Sequence, residues 1–182
     1  MVGIDLVGYN IAGPISPSLG MLSSLMYLNL SRVGKPSLEA VRHGHELILT
    51  FQLFLMKNYL SGRIPNEIGS LPYLVTFKVN HNRLSGQIPR FVSSKLTEVN
   101  VSHNVLEGID HFYVDHLNHG ESDEDSLNEL EILDASYNEI AGNIPEGFKR
   151  LTQLHHLDLS FNKVSYAASG IEKQLFYDPN PW

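Results

Sequence analysis

Leu60-Ser61-Gly62-Arg63-Ile64-Pro65 is a phrase that the chain repeats. It returns as Leu84-Ser85-Gly86-Gln87-Ile88-Pro89, and again as Ile140-Ala141-Gly142-Asn143-Ile144-Pro145. Two residues before each copy stands an asparagine, Asn58, Asn82 or Asn138, and ahead of each asparagine lies a short alternating run such as Phe77-Lys78-Val79. Working outward, the same slot recurs at Asn104 and Asn162, and leucine spacing places degenerate slots at Tyr9 and Val33. The commonest interval is 24 residues, as from Asn58 to Asn82. A fixed period of this length is the signature of stacked structural repeats and is read before any local feature.

Physical chemistry explains the spacing. In a Leu-x-Leu run the chain is a strand whose leucines point to one face and whose intervening residues point to the other. The chain must then turn off the strand. An asparagine in that turn offers a donor and an acceptor to backbone groups that would otherwise be left unpaired. One unit cannot bury its leucines alone, so neighbouring units supply the rest of the core. Asn58, Asn82, Asn104, Asn138 and Asn162 are therefore expected to line up as a ladder beside a parallel sheet.

Leu-Ser-Gly-x-Ile-Pro, with the following Ile68-Gly69-Ser70-Leu71, resembles the plant-specific class of leucine-rich repeats. The opening Gly13-Pro14-Ile15-Ser16-Pro17-Ser18-Leu19-Gly20 is similar to the first repeats of plant receptor-like proteins and receptor kinases. The resemblance spans residues 2–165 and implies an α/β solenoid: a right-handed leucine-rich-repeat superhelix of about seven repeats with a parallel concave sheet. It also implies the extracellular or plasma-membrane side of a plant cell, a protein or peptide ligand, and a co-receptor kinase as a further partner in defence or developmental signalling. An inhibitor of a secreted cell-wall hydrolase has the same repeat class, and a receptor fragment without an independent role is a third reading.

Three stretches depart from the pattern. Residues 34–50 lack the repeated phrase and read as an irregular repeat with a short helix near Ser37. The interval from Asn104 to Asn138 is ten residues longer than the commonest one, and the excess in 111–126 is expected to leave the stack as a loop. Residues 166–182 show no repeat, beyond one expected helical turn at Ile171–Phe176. The family's ends normally carry cysteine-paired caps. With no cysteine, both ends are expected to be uncapped, as in an internal or truncated piece of a longer architecture.

Composition narrows the function. The net charge of −7 argues against phosphate backbones and anionic membrane surfaces as partners. Without cysteine there is no disulfide, thiolate metal site or cysteine nucleophile. The longest apolar stretch, around Leu47 to Met56, is too short to span a bilayer, and no basic, apolar leader opens the chain. Hydrolase, kinase and metalloprotease motifs are absent, so neither catalysis nor a cofactor is expected. His111, His116 and His119 with Asp115, Asp123 and Asp125 read as a solvated loop rather than a metal site.

The register assigns the outward, ligand-facing positions. They are Tyr27, Asn29 and Arg32, then Phe54, Met56 and Lys57, then Lys78, Asn80 and His81. Later strands present Glu98, Asn100 and His103, then Asp134 and Tyr137, then His156, Asp158 and Phe161. Early strands lean basic and later ones acidic, and exposed aromatics beside charges mark recognition patches. The sequons at Asn29 and Asn100 fall on outward slots, where a glycan could fit sterically, although about two such sequons are what chance alone supplies.

Overall fold

A computed structural model describes residues 3–5, 7–21, 27–31, 51–109, 127 and 129–165. The irregular repeat at 34–50, the inserted loop at 111–126 and the tail at 166–182 lie outside the described residues. Each alternating run forms a short strand: β1 (Gly3–Asp5), β3 (Tyr27–Asn29), β4 (Phe51–Phe54), β6 (Leu74–Lys78), β8 (Glu98–Asn100), β10 (Ile132–Asp134) and β12 (His156–Asp158). These seven make one parallel sheet in the order β1-β3-β4-β6-β8-β10-β12. Ile4, Leu28, Leu53, Phe77, Val99, Leu133 and Leu157 pair across it as a single column. From Leu28 to Leu157 that column is buried. The protein is a parallel-stranded solenoid, one strand of the main sheet per repeat.

The repeated phrase forms a second parallel sheet, which periodicity did not reveal. It contains β2 (Ala12–Pro14), β5 (Tyr59–Arg63), β7 (Arg83–Gln87) and β9 (Val105–Gly108), and β11 (Ala141–Asn143) pairs separately with β13 (Lys163–Ser165). Gly62, Gly86 and Gly142 have φ of 77°, 76° and 94°. That left-handed region is free for glycine and costly for other residues, which is why the phrase needs its glycine. Leu60, Ile64, Leu84, Ile88, Leu106, Ile140 and Ile144 pack inward from this side against the column of the main sheet.

The outer turns are short. Among the described residues the α-helix is one turn, α1 (Asn66–Gly69), with 3-10 turns at Pro17–Met21 and Glu146–Arg150. Each begins at or directly after a proline, whose fixed φ suits a first helical turn. Gly69 is buried with the next coil's backbone against it, and its carbonyl accepts the Val92 amide at 2.9 Å.

The asparagines tie consecutive coils together. In Asn104, Oδ1 accepts the Leu84 amide at 2.9 Å, while Nδ2 donates to Val79 O at 3.2 Å and Val101 O at 3.0 Å. Asn82, Asn138 and Asn162 repeat this geometry, and Asn58 departs in one bond: its Nδ2 donates to Leu30 O, but its Oδ1 accepts the Ile11 amide of the first coil. The long interval does not disturb it: Leu106 N still donates to Asn138 Oδ1 at 3.0 Å, and Val99 still pairs with Leu133. The register on either side of the ten-residue excess is therefore the same as between the evenly spaced coils.

Candidate functional site

The residue just before each ladder asparagine is Lys57, His81, His103, Tyr137 or Phe161, and each has a positive φ, between 52° and 56°. A non-glycine residue in that region costs on the order of 1 kcal/mol. Two interactions offset it. Each amide at Lys57, His81, His103 and Tyr137 donates to a carbonyl of the next coil, as His81 N does to Ser102 O at 3.0 Å. The rings also stack. His81 and His103 lie 4.1 Å apart at 11°, His103 and Tyr137 4.3 Å apart at 8°, and Tyr137 and Phe161 4.1 Å apart at 15°. Such pairs contribute roughly 0.5–1.5 kcal/mol each. The result is a row of four rings across four coils, with Lys57 before the first. Tyr137 is 45% exposed and Phe161 62% exposed, so the row is an aromatic rim open to solvent.

His81 reaches solvent at its edge, but partial desolvation beneath its neighbours lowers its pKa below the ordinary value, and the charges of His103 and Lys57 lower it further while Asp134 opposes them. His81 is therefore mainly the neutral imidazole near neutral pH, which suits a stacked ring beside a second histidine.

Beside this rim, the outward residues of the strands are half spent on one another. Asn29, Asn100 and Asp134 each accept both the amide and the hydroxyl of a serine two residues on, Ser31, Ser102 and Ser136. Asp158 accepts the Ser160 amide at 2.9 Å. These Asx turns end the strands with their side chains already oriented. The two middle strands break the rule, with Phe54 and Met56 on one coil and Lys78 and Asn80 on the next. Lys78 is paired with Glu98 at 2.7 Å, both half-buried, and the Asn80 Oδ1 is buried with no hydrogen-bond partner.

The residues expected on this face divide into groups. Lys57, His81, His103, Tyr137, His156 and Phe161 are exposed, and Met56, Lys78, Glu98, Asp134 and Asp158 are half-buried on the same side. The backbone of Tyr27 lies in β3, opposite Gln52 of β4, but its side chain is not described, and Arg32 lies outside the described residues. Two expectations are corrected. Phe54 has the outward register yet is 3% exposed, so it lines the floor and is no contact surface. Asn29 is fully buried, its carbonyl oxygen held by Ser31, so a glycan cannot sit there in this fold. At Asn100 the nitrogen that a glycan would occupy donates to Asp134 at 3.0 Å.

Sequence reasoning passed over Gln52, Thr76 and Ile132, which the register places in one row with Tyr27, Glu98 and His156. Taking every second residue back from the slot would have found them. The ring row had a signal too, in the aromatic residues standing directly before four ladder asparagines. On the second sheet, the Arg83 guanidinium lies 5.2 Å from the Tyr59 ring centre, a cation–π contact between coils that no periodicity announces.

Residues 129–151 match the family model described as Leucine Rich Repeat. The chain is a leucine-rich-repeat solenoid. It is 32% identical to Receptor-like protein 35 of Arabidopsis thaliana over 170 residues, an alignment covering 89% of this chain and 17% of that protein. It also superposes on two crystal structures of the Arabidopsis receptor kinase HAESA. One is the ectodomain in complex with an N-terminally extended IDA peptide hormone ligand: TM-score 0.63, 24% identity, covering 96% of this chain and 24% of the other. The second is HAESA in complex with the peptide hormone IDA and the co-receptor SERK1: TM-score 0.56, 25% identity, covering 90% and 30%. This leucine-rich-repeat chain thus spans under a third of the length of each of these three. No described helix is long and apolar enough to cross a membrane.

Proposed function

We propose that the main sheet of this solenoid is a recognition surface for an extended polypeptide, as part of a plant receptor-like ectodomain at the cell surface. The observation that carries the reading is the row His81–His103–Tyr137–Phe161. Four rings are held at fixed spacing by stacking and by the backbone hydrogen bonds between coils, and Tyr137 and Phe161 are exposed to solvent. A preformed surface loses little entropy on binding, and exposed aromatics are the residues that most often dominate binding energy. HAESA, similar in fold, has been crystallised with a peptide hormone and a co-receptor, which supports a peptide as ligand and a second receptor chain as partner here. The test uses random linear 12-residue peptides selected on the whole chain. A Tyr137→Ala/Phe161→Ala double variant is expected to lose tenfold or more in affinity for the selected peptides. Glu67→Ala, on the exposed side of α1, is the control and should bind unchanged. Equal affinity for both variants would remove the sheet as the binding surface.

A further inference from the structure

The charges of the recognition face are sorted along the stack. Lys57 stands exposed at the end of β4 with no ion-pair partner among the described residues. One coil on, Lys78 is neutralised by Glu98, and the next coil presents only the amide of Asn100 in the equivalent position. Asp134 and Asp158 then occupy that position on β10 and β12, half-buried and likewise without a cation among the described residues. Their hydrogen bonds come from Ser136, Ser160 and Asn100, all neutral donors that hold the carboxylates in place and leave their charge intact. Elsewhere among these turns the same acceptor is asparagine, at Asn29 and Asn100, so the turn itself does not require a charge. Two fixed negative charges at one end and a free ammonium at the other are therefore surplus to the fold.

We propose, resting on the peptide-binding reading above, that the ligand is an extended polypeptide bearing an acidic and a basic side chain about four to six residues apart. The acid sits over Lys57 and the base over Asp134 and Asp158. The spacing follows from the sheet. Parallel strands lie roughly 4.8 Å apart, so three to four strand steps, from β4 to β10 or β12, are about 14–19 Å. An extended chain covers that in about four to six residues at ~3.3 Å each. Between the two anchors the peptide passes Asn80 and the ring row, whose edges supply apolar contact. Complementary fixed charges also set the register of an otherwise uniform sheet, because the reversed pairing places like charges together.

The experiment selects random linear 12-residue peptides, displayed on phage, against the wild-type 182-residue chain and two variants. Lys57→Glu removes the cation, with Lys57→Gln as a second variant should the first not fold. Asp134→Asn/Asp158→Asn removes the anions but keeps the turn acceptors, as Asn29 and Asn100 do naturally. Far-UV circular dichroism and a melt establish folding for each. Wild-type selection is expected to enrich peptides with an acid and a base four to six positions apart. The asparagine variant loses the preference for the base alone, and Lys57→Glu loses the preference for the acid and gains one for a second base. Synthetic peptides selected on the wild type should bind each variant about ten- to a hundredfold more weakly. Peptides that bind and depend on Tyr137 and Phe161 but show no charge rule would overturn this inference and leave peptide binding standing. No enrichment on any of the three chains would overturn peptide binding itself.

Discussion

Replacing Asn104 by alanine removes one acceptor and the donors of one Nδ2, yet few backbone groups are orphaned. Val79 O keeps the Asn82 Nδ2 at 2.9 Å, and Val101 O keeps the Asn138 Nδ2 at 3.0 Å. What is lost without replacement is the partner of the Leu84 amide, on a residue with no exposed surface. An unsatisfied buried group costs about 1–3 kcal/mol, so Asn104→Ala should cost about that much. Asn82→Ala should cost about the same, since it orphans the Leu60 amide while Leu55 O keeps Asn58 and Val79 O keeps Asn104. The double variant is different. Val79 O is the carbonyl both asparagines share, and with both gone it has no donor among the described residues.

The double should therefore exceed the sum of the singles by about 1–3 kcal/mol, the cost of one more buried orphan. Asn58→Ala with Asn104→Ala is the control pair, because Asn58 bonds Leu30 O and Leu55 O and shares no carbonyl with Asn104. That pair should add within roughly 0.5 kcal/mol. Equilibrium urea unfolding followed by far-UV circular dichroism measures all five variants, provided the slope with urea stays constant across the set. Equal coupling in the adjacent and the skipped pair, or none in either, would refute the shared-carbonyl account of the ladder.

Two other perturbations follow from the geometry. Gly69→Ala would drive a Cβ into the carbonyl oxygen of Arg90 on the next coil, a backbone atom that cannot step aside, so urea unfolding should show a loss of about 1–3 kcal/mol. For His81 the sign is set by its depressed pKa: the unfolded chain takes up a proton near its ordinary value, 6.5, while the folded chain resists until lower pH. Its contribution is whole above about pH 6.5 and is lost as pH falls toward the folded pKa, so the wild type should lose more melting temperature between pH 7.5 and 5.5 than His81→Asn does. Parallel pH profiles would contradict the cause assigned here.

What the sequence discloses about this solenoid is what repeats with side-chain consequence. The leucine column and the asparagine slots are readable because burial and an unpaired turn admit few residue types, and any stacked coil must satisfy both. The second sheet was hidden because Leu-Ser-Gly serves as strand and as turn at once: Leu84 is buried, Ser85 is half-buried, and Gly86 has a positive φ. Phe54 departs from its outward slot for a related reason. Period-two alternation names the side of the sheet, and it does not say whether neighbouring side chains cover that side. Asn29 is the same case: its slot faces outward, yet it is buried and Ser31 folds back over it.

The ring row lies between these cases, and the reason bears on function. Nothing in the repeat requires an aromatic before the ladder asparagine; the backbone there requires only tolerance of a left-handed turn, which asparagine or glycine would meet at less cost. Lys57, His81, His103, Tyr137 and Phe161 all meet it less well. Stacking recovers part of the difference for the four rings, but a stack is worth its full value only where each coil has a ring beside it. Lys57 has no ring in its slot and carries the same strained turn, with its charge unpaired among the described residues. Its amide donates to Asn80 O like the others, but its side chain has no ring to stack on and no ion-pair partner among the described residues, so the side chain is where an external contact is sought, at the basic end of the face.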